Sequence, residues 1–239
     1  MKIRRAQERG VANYDWLNSR HSFSFGDYFD PQHRGHGPLR VINDDRVSPG
    51  AGFPPHAHAD MEIISYVVEG GLAHKDSIGS GSTIVPGEVQ RMSAGRGIRH
   101  SEYNASDSDP VRFLQIWVVP EKRGLEASYE QKHFFKGKED CGHFKLVGSR
   151  EGRHGSVVIH QDLDFYAGRF NGDDSAELQI AAGRLGWVQI VKGGITVNGE
   201  EVGEGDGIAL DLSENDKILK FSAAKHAEVL VFDMVATTY

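Results

Sequence analysis

Residues 62–76, EIISYVVEGGLAHKD, combine a run of β-branched and aromatic residues with a Gly-Gly pair and a second short strand pattern. This order predicts an apolar strand, a tight turn and another strand. A similar order recurs at QIVKGGITVNG, residues 189–199, and each copy is followed by a second turn signal, PGE at 86–88 and EGD at 204–206. The repeat therefore predicts two copies of one β unit.

Strand patterns also dominate the rest of the chain. Further stretches rich in β-branched and aromatic residues are bounded by Gly, Pro, Asn or Asp: LRVIND (39–44), FLQIWVVP (113–120), GSVVIHQD (155–162) and AEVLVFDM (227–234). The best helix candidates are short, Tyr14–Ser19 and Leu125–Gln131. We therefore expect an all-β protein built from β-barrels or sandwiches.

The two copies of the β unit would span residues 40–120 and 155–235, with a polar connector over 121–153 that includes EKRGLEASYEQK and GKEDCGH. Domain boundaries fall in such polar segments. We place an N-terminal domain with its leading arm at residues 1–130, and the connector with a C-terminal domain at 131–239.

The composition excludes several classes of protein. A net charge of -7 opposes binding to phosphate backbones, so no direct nucleic-acid partner is expected. The N-terminal MKIRRAQERG lacks the apolar core of a signal peptide, and the longest apolar runs are too short to span a bilayer. The single cysteine, Cys141, excludes an internal disulfide. We expect a cytoplasmic protein that does not bind membranes.

Two pairs of polar residues have the spacing of metal ligands. His56 and His58 are two residues apart, so on a strand they point to the same face, about 7 Å apart along the backbone. His100 and Glu102 share parity in the same way and follow Gly95 and Gly97, which favour a tight turn. Together the pairs supply three imidazoles and one carboxylate.

Glu62 leaves this ligand set ambiguous, because positions 56, 58, 60 and 62 all share strand parity. Spacing alone does not choose between Glu62 and Glu102. Either set suits a divalent first-row metal, and four protein ligands on an octahedral ion leave two positions for water, substrate or O2. Phe53, before the first pair, and Gln115, in the strand after the second, are candidate walls of a substrate pocket.

Other histidines carry less information. His21, His33 and His36 lie in an aromatic-rich segment, HSFSFGDYFDPQHRGHG, which either packs on the first barrel or lines a pocket. A second group of histidines lacks a partner in an HxH or HxE pattern and is interpreted as structural or surface residues: His74, His154, His160 and His226.

Four segments together resemble the pirin family of the cupins: LRVINDD (39–45), HxHxxxEI (56–63), PGE (86–88) and MSAGRGIRHSEYN (92–104). HSFSF (21–25) and QIWVVP (115–120) extend the resemblance over most of the chain. Gly70 and Ser93 depart from the general cupin motifs in the manner of pirin-like proteins.

The resemblance implies a bicupin, two jelly-roll barrels in one chain, whose N-terminal barrel holds one metal ion through His56, His58, His100 and Glu102. Iron(II) is the first expectation, and Ni, Mn, Co, Cu or Zn are compatible with the same ligands. The C-terminal barrel has no corresponding HxH or HxE pair and is expected to bind no metal.

Two functions follow from the resemblance. Bacterial proteins of this kind are known as quercetin 2,3-dioxygenases, which open a flavonol ring with O2 and release carbon monoxide. Glu102 or Glu62 would then be the catalytic base. Animal pirin is instead an iron-dependent cofactor of transcription factors, so the alternative is a metal-responsive or redox-responsive binding protein without catalysis.

Overall fold

The computed structural model describes residues 1–237, and these residues form an almost entirely β structure, as predicted. The strands of the N-terminal half are β1 (Lys2–Arg4), β2 (Gly10–Asn13), β3 (Leu17–His21), β4 (Leu39–Val47), β5 (Gly52–His58), β6 (Glu62–Glu69), β7 (Leu72–Asp76), β8 (Gly81–Ile84), β9 (Glu88–Ser93), β10 (Ile98–Asn104), β11 (Val111–Val118) and β12 (Ser128–His133).

The strands of the C-terminal half are β13 (Phe144–Ser149), β14 (Val157–Val158), β15 (Leu163–Gly172), β16 (Ala176–Ile180), β17 (Arg184–Val197), β18 (Glu200–Gly203), β19 (Gly207–Leu210) and β20 (Lys217–Val235). Three single-turn 3-10 helices lie at Ala6–Glu8, Lys138–Asp140 and Arg153–Gly155. None of the helices in the described part of the chain has the length and apolar character needed to cross a bilayer.

Both helix candidates were wrong. Leu17–Ser19 belongs to β3, which pairs with β2 and β4, and Ser128–Gln131 belongs to β12, which pairs with β9. Each short segment is a strand because a neighbouring strand supplies its backbone hydrogen bonds, and such tertiary pairing overrides local propensity.

The strands form three sheets. A seven-stranded sheet has the order β12-β9-β6-β11-β4-β3-β2, and a four-stranded sheet has the order β5-β10-β7-β8. A nine-stranded sheet follows the path β1-β19-β17-β20-β15-β13-β14, with β16 paired to β20 and β18 paired to β17. The seven-stranded and four-stranded sheets come from the N-terminal half, and the nine-stranded sheet contains all the strands of the C-terminal half.

The two Gly-Gly pairs do not form hairpin turns of the predicted kind. At Gly70-Gly71 the chain leaves the seven-stranded sheet and enters the four-stranded sheet, so β6 and β7 are not paired with each other. Gly193-Gly194 lies inside the single long strand β17, where the pairing with β20 shifts register. A Cβ atom on Gly193 would lie 2.3 Å from the carbonyl oxygen of His226, so this bend requires glycine.

The two halves share one hydrophobic core. Its buried members include Phe23, Ile64 and Leu114 from the N-terminal half, packed together with Phe165 and Phe232 from the C-terminal half. Strand β1, at the start of the chain, pairs with β19 of the nine-stranded sheet. Strand β12 spans position 130, the predicted domain boundary, and pairs with β9. Each half therefore buries apolar surface of the other, and the boundary itself stays a prediction.

Buried polar groups also join the halves. The Tyr66 hydroxyl on β6 donates a hydrogen bond to the carboxylate of Glu228 on β20, and Arg169 Nε donates to the same oxygen at 2.9 Å. Tyr66 and Glu228 are both buried. A buried carboxylate that loses one donor keeps the cost of its desolvation.

We expect Tyr66→Phe to lower the free energy of unfolding by about 1–3 kcal/mol, because Glu228 stays buried without that donor. Urea unfolding followed by tryptophan fluorescence measures the change. Tyr103→Phe is the matched control, since Tyr103 is exposed. Equal stability of the two variants would show that the buried hydrogen bond contributes nothing.

Candidate metal centre

The pairing of β5 with β10 brings the predicted histidines together. His56 lies directly opposite His100, and Phe53 lies opposite Glu102. Between these two pairs, Pro54 and Pro55 of β5 lie opposite the single residue Ser101 of β10, which makes a β-bulge. Proline has no N–H to donate to a sheet ladder, so a bulge accommodates it. Gly52 permits the close approach of the strands, because its Cβ would lie 2.3 Å from the backbone oxygen of Glu102.

The three imidazole rings form a compact cluster. Ring centroids are 4.7 Å apart for His56 and His58, 4.4 Å for His56 and His100, and 5.0 Å for His58 and His100. One ring nitrogen of each lies within 4.8 Å of the other two. Nitrogens bound to one ion at about 2.1 Å lie about 3 Å apart, so small side-chain rotations would complete such a site.

The protonation states of the histidines suit metal binding. Nδ1 of His56 donates to the backbone oxygen of Pro54 at 2.8 Å, which leaves the Nε2 lone pair free. Burial, together with the neighbouring histidines, lowers the pKa of His58 to about 4 and that of His100 to about 3. Both are therefore neutral at pH 7, the form that coordinates a metal.

His100 gives the strongest indication of a ligand. It is 2% exposed, and neither of its ring nitrogens has a hydrogen-bond partner among the described residues. Buried polar atoms almost always have partners, so an orphaned imidazole indicates a group outside the chain. The donor set fits a divalent first-row ion.

Glu102 is the carboxylate that lies beside this cluster. One of its carboxylate oxygens lies within 4.8 Å of a ring nitrogen of His100 and of His74, and the residue is 2% exposed. Ser65 Oγ donates to Oε1 at 3.0 Å, and Gln115 Nε2 donates to Oε2 at 2.7 Å. Burial raises the pKa of Glu102 to about 7, which the two hydrogen bonds only partly oppose. These bonds hold the carboxylate in one orientation.

Glu62 lies elsewhere. Its Oε2 accepts hydrogen bonds from Ser93 Oγ at 2.9 Å and from the backbone N–H of His160 at 3.1 Å. The parity that linked Glu62 to His56 and His58 fails because the strand ends at His58 and Asp60 adopts a positive φ of 50°. The chain then enters the seven-stranded sheet, so the structure favours Glu102 over Glu62 as the carboxylate of the cluster.

His74 also lies beside the cluster, a position that the sequence pattern did not predict. It lies on β7 opposite Glu102, and its Nε2 and Asp76 Oδ2 are 3.0 Å apart. Its Nδ1 is buried without a partner in the described chain, and its ring centroid is 5.4 Å from that of His100. The signal was present as a His-x-Asp pair at 74 and 76, a spacing that places both side chains on one face just as HxH does.

A cavity of about 860 Å³ opens beside the cluster. His56, His58 and Glu102 form one part of its lining, and the two predicted wall residues, Phe53 and Gln115, line it as well. Much of the remaining wall is aromatic: Trp16, Phe25, Tyr28 and Trp117. Trp16 meets Phe53 edge to face at 5.2 Å, and Trp117 meets His58 at 5.0 Å. Ligand pockets are typically of this size and apolar character.

The N-terminal arm covers part of this cavity. His21 lines it, whereas His33 bonds to Asp30 at 2.7 Å and His36 lies 3.3 Å from the backbone oxygen of Leu210 in the nine-stranded sheet. The first part of the aromatic-rich segment therefore lines the cavity, as one alternative predicted, whereas its last part packs on the C-terminal half instead of the first barrel.

Comparison with known proteins identifies relatives over almost the whole chain. The Pirin family model matches residues 2–118, and a model described as the quercetinase C-terminal cupin domain matches residues 146–234. A protein of Escherichia coli K12 named quercetin 2,3-dioxygenase is 44% identical over 97% of both chains. A pirin-like protein of Caulobacter vibrioides is 34% identical over 94% of this chain and 95% of its own.

Solved structures match the fold of this chain. YhhW of Escherichia coli superposes with a TM-score of 0.92 at 42% identity, covering 100% of this chain and 99% of YhhW. The same bacterial pirin in complex with nickel(II) gives a TM-score of 0.90 at 43% identity, with 98% of both chains covered. The expected bicupin architecture is confirmed, with one cupin domain in each half.

The metal content of single-residue variants tests the predicted ligand set. We expect about one divalent ion per chain in the native protein, loss of the ion in His58→Ala and His100→Ala, and retention in Glu62→Gln. Elemental analysis after exhaustive dialysis measures the content. Retention of the ion without His100, or its loss in Glu62→Gln but not in Glu102→Gln, would contradict the ligand set.

A second prediction concerns His74. Residues beyond the direct ligands that orient them typically change metal affinity by 10- to 100-fold when removed. We expect His74→Ala to raise the metal dissociation constant by about tenfold, which means weaker binding. Competition with a chelator measures the change, and His226→Ala, an exposed histidine in the other half, serves as the control. An unchanged dissociation constant in His74→Ala would mean that the residue only fills space.

Proposed function

This chain belongs to the pirin family, and from that premise we propose that it is a metal-dependent dioxygenase that cleaves flavonols such as quercetin with O2. The observation that carries the proposal is the orphaned His100, which lies within ligand distance of His56 and His58 on one side and of Glu102 and His74 on the other. A cavity with aromatic walls, lined in part by His56, His58 and Glu102, lies beside it. The name of the Escherichia coli relative supports the substrate class.

His56, His58, His100 and Glu102 would hold the ion. Iron(II) is the first candidate, and the nickel(II) complex of YhhW supports a first-row divalent ion more generally. When bound, such an ion would supply Lewis acidity toward the 3-hydroxyl and 4-keto oxygens of a flavonol, or toward one of them and O2.

The residues of the chain orient the substrate and exclude water. A flavonol is flat and largely aromatic, and the walls formed by Trp16, Phe53 and Trp117 offer ring faces and edges against which it packs. Confinement in this cavity would keep the hydroxyl and keto groups toward the histidine cluster, which lowers the entropic cost of reaction.

The same geometry supports Glu102 over Glu62 as the catalytic base. Glu102 lines the cavity, whereas Glu62 is absent from its lining and is held by Ser93 and His160. A base has to lie within hydrogen-bond reach of the proton that it removes. We therefore assign proton removal from the 3-hydroxyl to a carboxylate oxygen of Glu102, oriented by Ser65 and Gln115.

The test is aerobic incubation of metal-defined protein with a panel of flavonols. We expect loss of flavonol absorbance together with release of carbon monoxide, at a rate above that of the free metal ion. His100→Ala should reduce the rate to that of the free metal ion, because it removes a ligand.

Protein loaded in turn with Fe, Mn, Ni, Co and Cu that consumes no quercetin above the free-metal rate would refute the dioxygenase. The alternative, a metal-responsive binding protein, would then take its place.

A further inference from the structure

The floor of the cavity carries a row of polar residues that the histidine cluster does not use. His21 and Ser19 on β3 pair in register with Asn43 and Asp45 on β4, and Asn43 pairs with Gln115 on β11. All five line the cavity, and cross-strand partners share one face of the sheet. The row therefore runs from Gln115, which bonds to Glu102, across three strands to the far side of the floor.

Most of the row is internally satisfied. Nδ1 of His21 lies 2.7 Å from Oδ1 of Asn43, an atom that only accepts, so His21 is the donor. Ser19 Oγ lies 3.3 Å from the same nitrogen. Two buried oxygens of the row have no partner in the described chain: Oε1 of Gln115, whose Nε2 bonds to Glu102, and Oδ1 of Asp45, a residue that is 3% exposed.

Asp45 lacks the ion pairs that its neighbour Asp44 makes. Asp44 receives a bidentate pair from Arg112 at 2.9 and 3.0 Å, and Arg9 lies 3.4 Å away. Asp45 has no ion-pair partner in residues 1–237. A hydrogen bond from Ser19 does not offset its burial, which raises the pKa of Asp45 to about 7.

On the side of β11, Asp45 meets apolar residues. Its register partner on β11 is Phe113, which belongs to a buried cluster with Leu17, Val47 and Val67. An incompletely bonded carboxyl group in such a place costs stability, whereas a leucine would add to the cluster. Groups of this kind are concentrated at functional sites.

We propose that Asp45 determines ligand specificity: its carboxyl group accepts a hydrogen bond from a further hydroxyl of the ligand. This hydroxyl is distinct from the 3-hydroxyl and 4-keto oxygens, which face the histidine cluster. This inference rests on the proposed flavonol substrate and deepens it. Three acidic residues line the cavity, Asp27, Asp45 and Glu102, so it favours neutral hydroxyl donors over carboxylates or phosphates. The preferred ligand is a flat aromatic molecule with hydroxyl groups at both ends.

Two flavonols separate the contribution of Asp45 to binding from that of the hydroxyl and keto pair. 3-Hydroxyflavone carries only the hydroxyl and keto pair, and quercetin carries further hydroxyls on both outer rings. We expect the metal-loaded wild-type protein to bind quercetin about 10- to 100-fold more tightly, as for a hydrogen bond to a charged group. Asp45→Leu should remove most of that ratio and Asp45→Asn should reduce it about tenfold, with 3-hydroxyflavone affinity nearly unchanged.

Affinities are measured without oxygen by quenching of tryptophan fluorescence, in protein whose metal content is checked by elemental analysis. Asp173→Asn is the matched control, because it removes the charge of an exposed aspartate that does not line the cavity. It should keep the wild-type ratio. Asp45→Asn preserves shape, so it decides the question if Asp45→Leu does not fold.

Equal binding of the two flavonols by the wild type, or a wild-type ratio in both Asp45 variants, would overturn the proposal even if quercetin is consumed. Quercetin that binds with the expected ratio but is not consumed under O2 would refute the dioxygenase and leave the assignment of Asp45 intact. If neither flavonol binds, both the dioxygenase and the assignment of Asp45 are overturned.

Discussion

The antiparallel pairing of β10 with β5 is the constraint on which the site depends. It places His100 opposite His56, and the bulge at Pro54 and Pro55 sets where Glu102 falls relative to Phe53. On its other edge β10 pairs with β7, which brings His74 and Asp76 to the same strand. A single strand thus gathers donors from both of its neighbours. A shift of one residue in either register would turn its side chains to the opposite face.

The polar residues of the site lower the stability of the fold. Neutral buried histidines, a buried Glu102 and an incompletely bonded Asp45 all sit where apolar residues would add stability. The core shared by the two halves offsets this cost, since aromatic and aliphatic residues from both pack into one cluster. The C-terminal domain therefore contributes to the cavity indirectly, by supporting the sheet whose inner face forms the floor.

The sequence predicted what depends on local periodicity. Alternation placed His56 with His58 and His100 with Glu102, because each pair lies within one uninterrupted strand. It failed at Glu62, where a positive φ at Asp60 ends the strand and the parity with it. His74 and Asp76 follow the same alternation, but a His-x-Asp pair is neither of the patterns, HxH and HxE, on which the prediction rests. Asp45 had no local signal, since nothing in LRVINDD distinguishes the carboxylate that meets arginines from the one that does not.

Long-range pairing was beyond the reach of sequence patterns, and the clearest case is β1. Lys2 pairs with Ala209, so the first strand of the chain completes a sheet whose other members come from the C-terminal half. On a ribosome that strand emerges early and waits for a partner about 200 residues away, which is made after roughly 10–40 s of further synthesis. The N-terminal half, which the shared core also leaves incomplete, must meanwhile keep its apolar surface from other chains. The nine-stranded sheet can therefore close only after the C-terminal half has been synthesised.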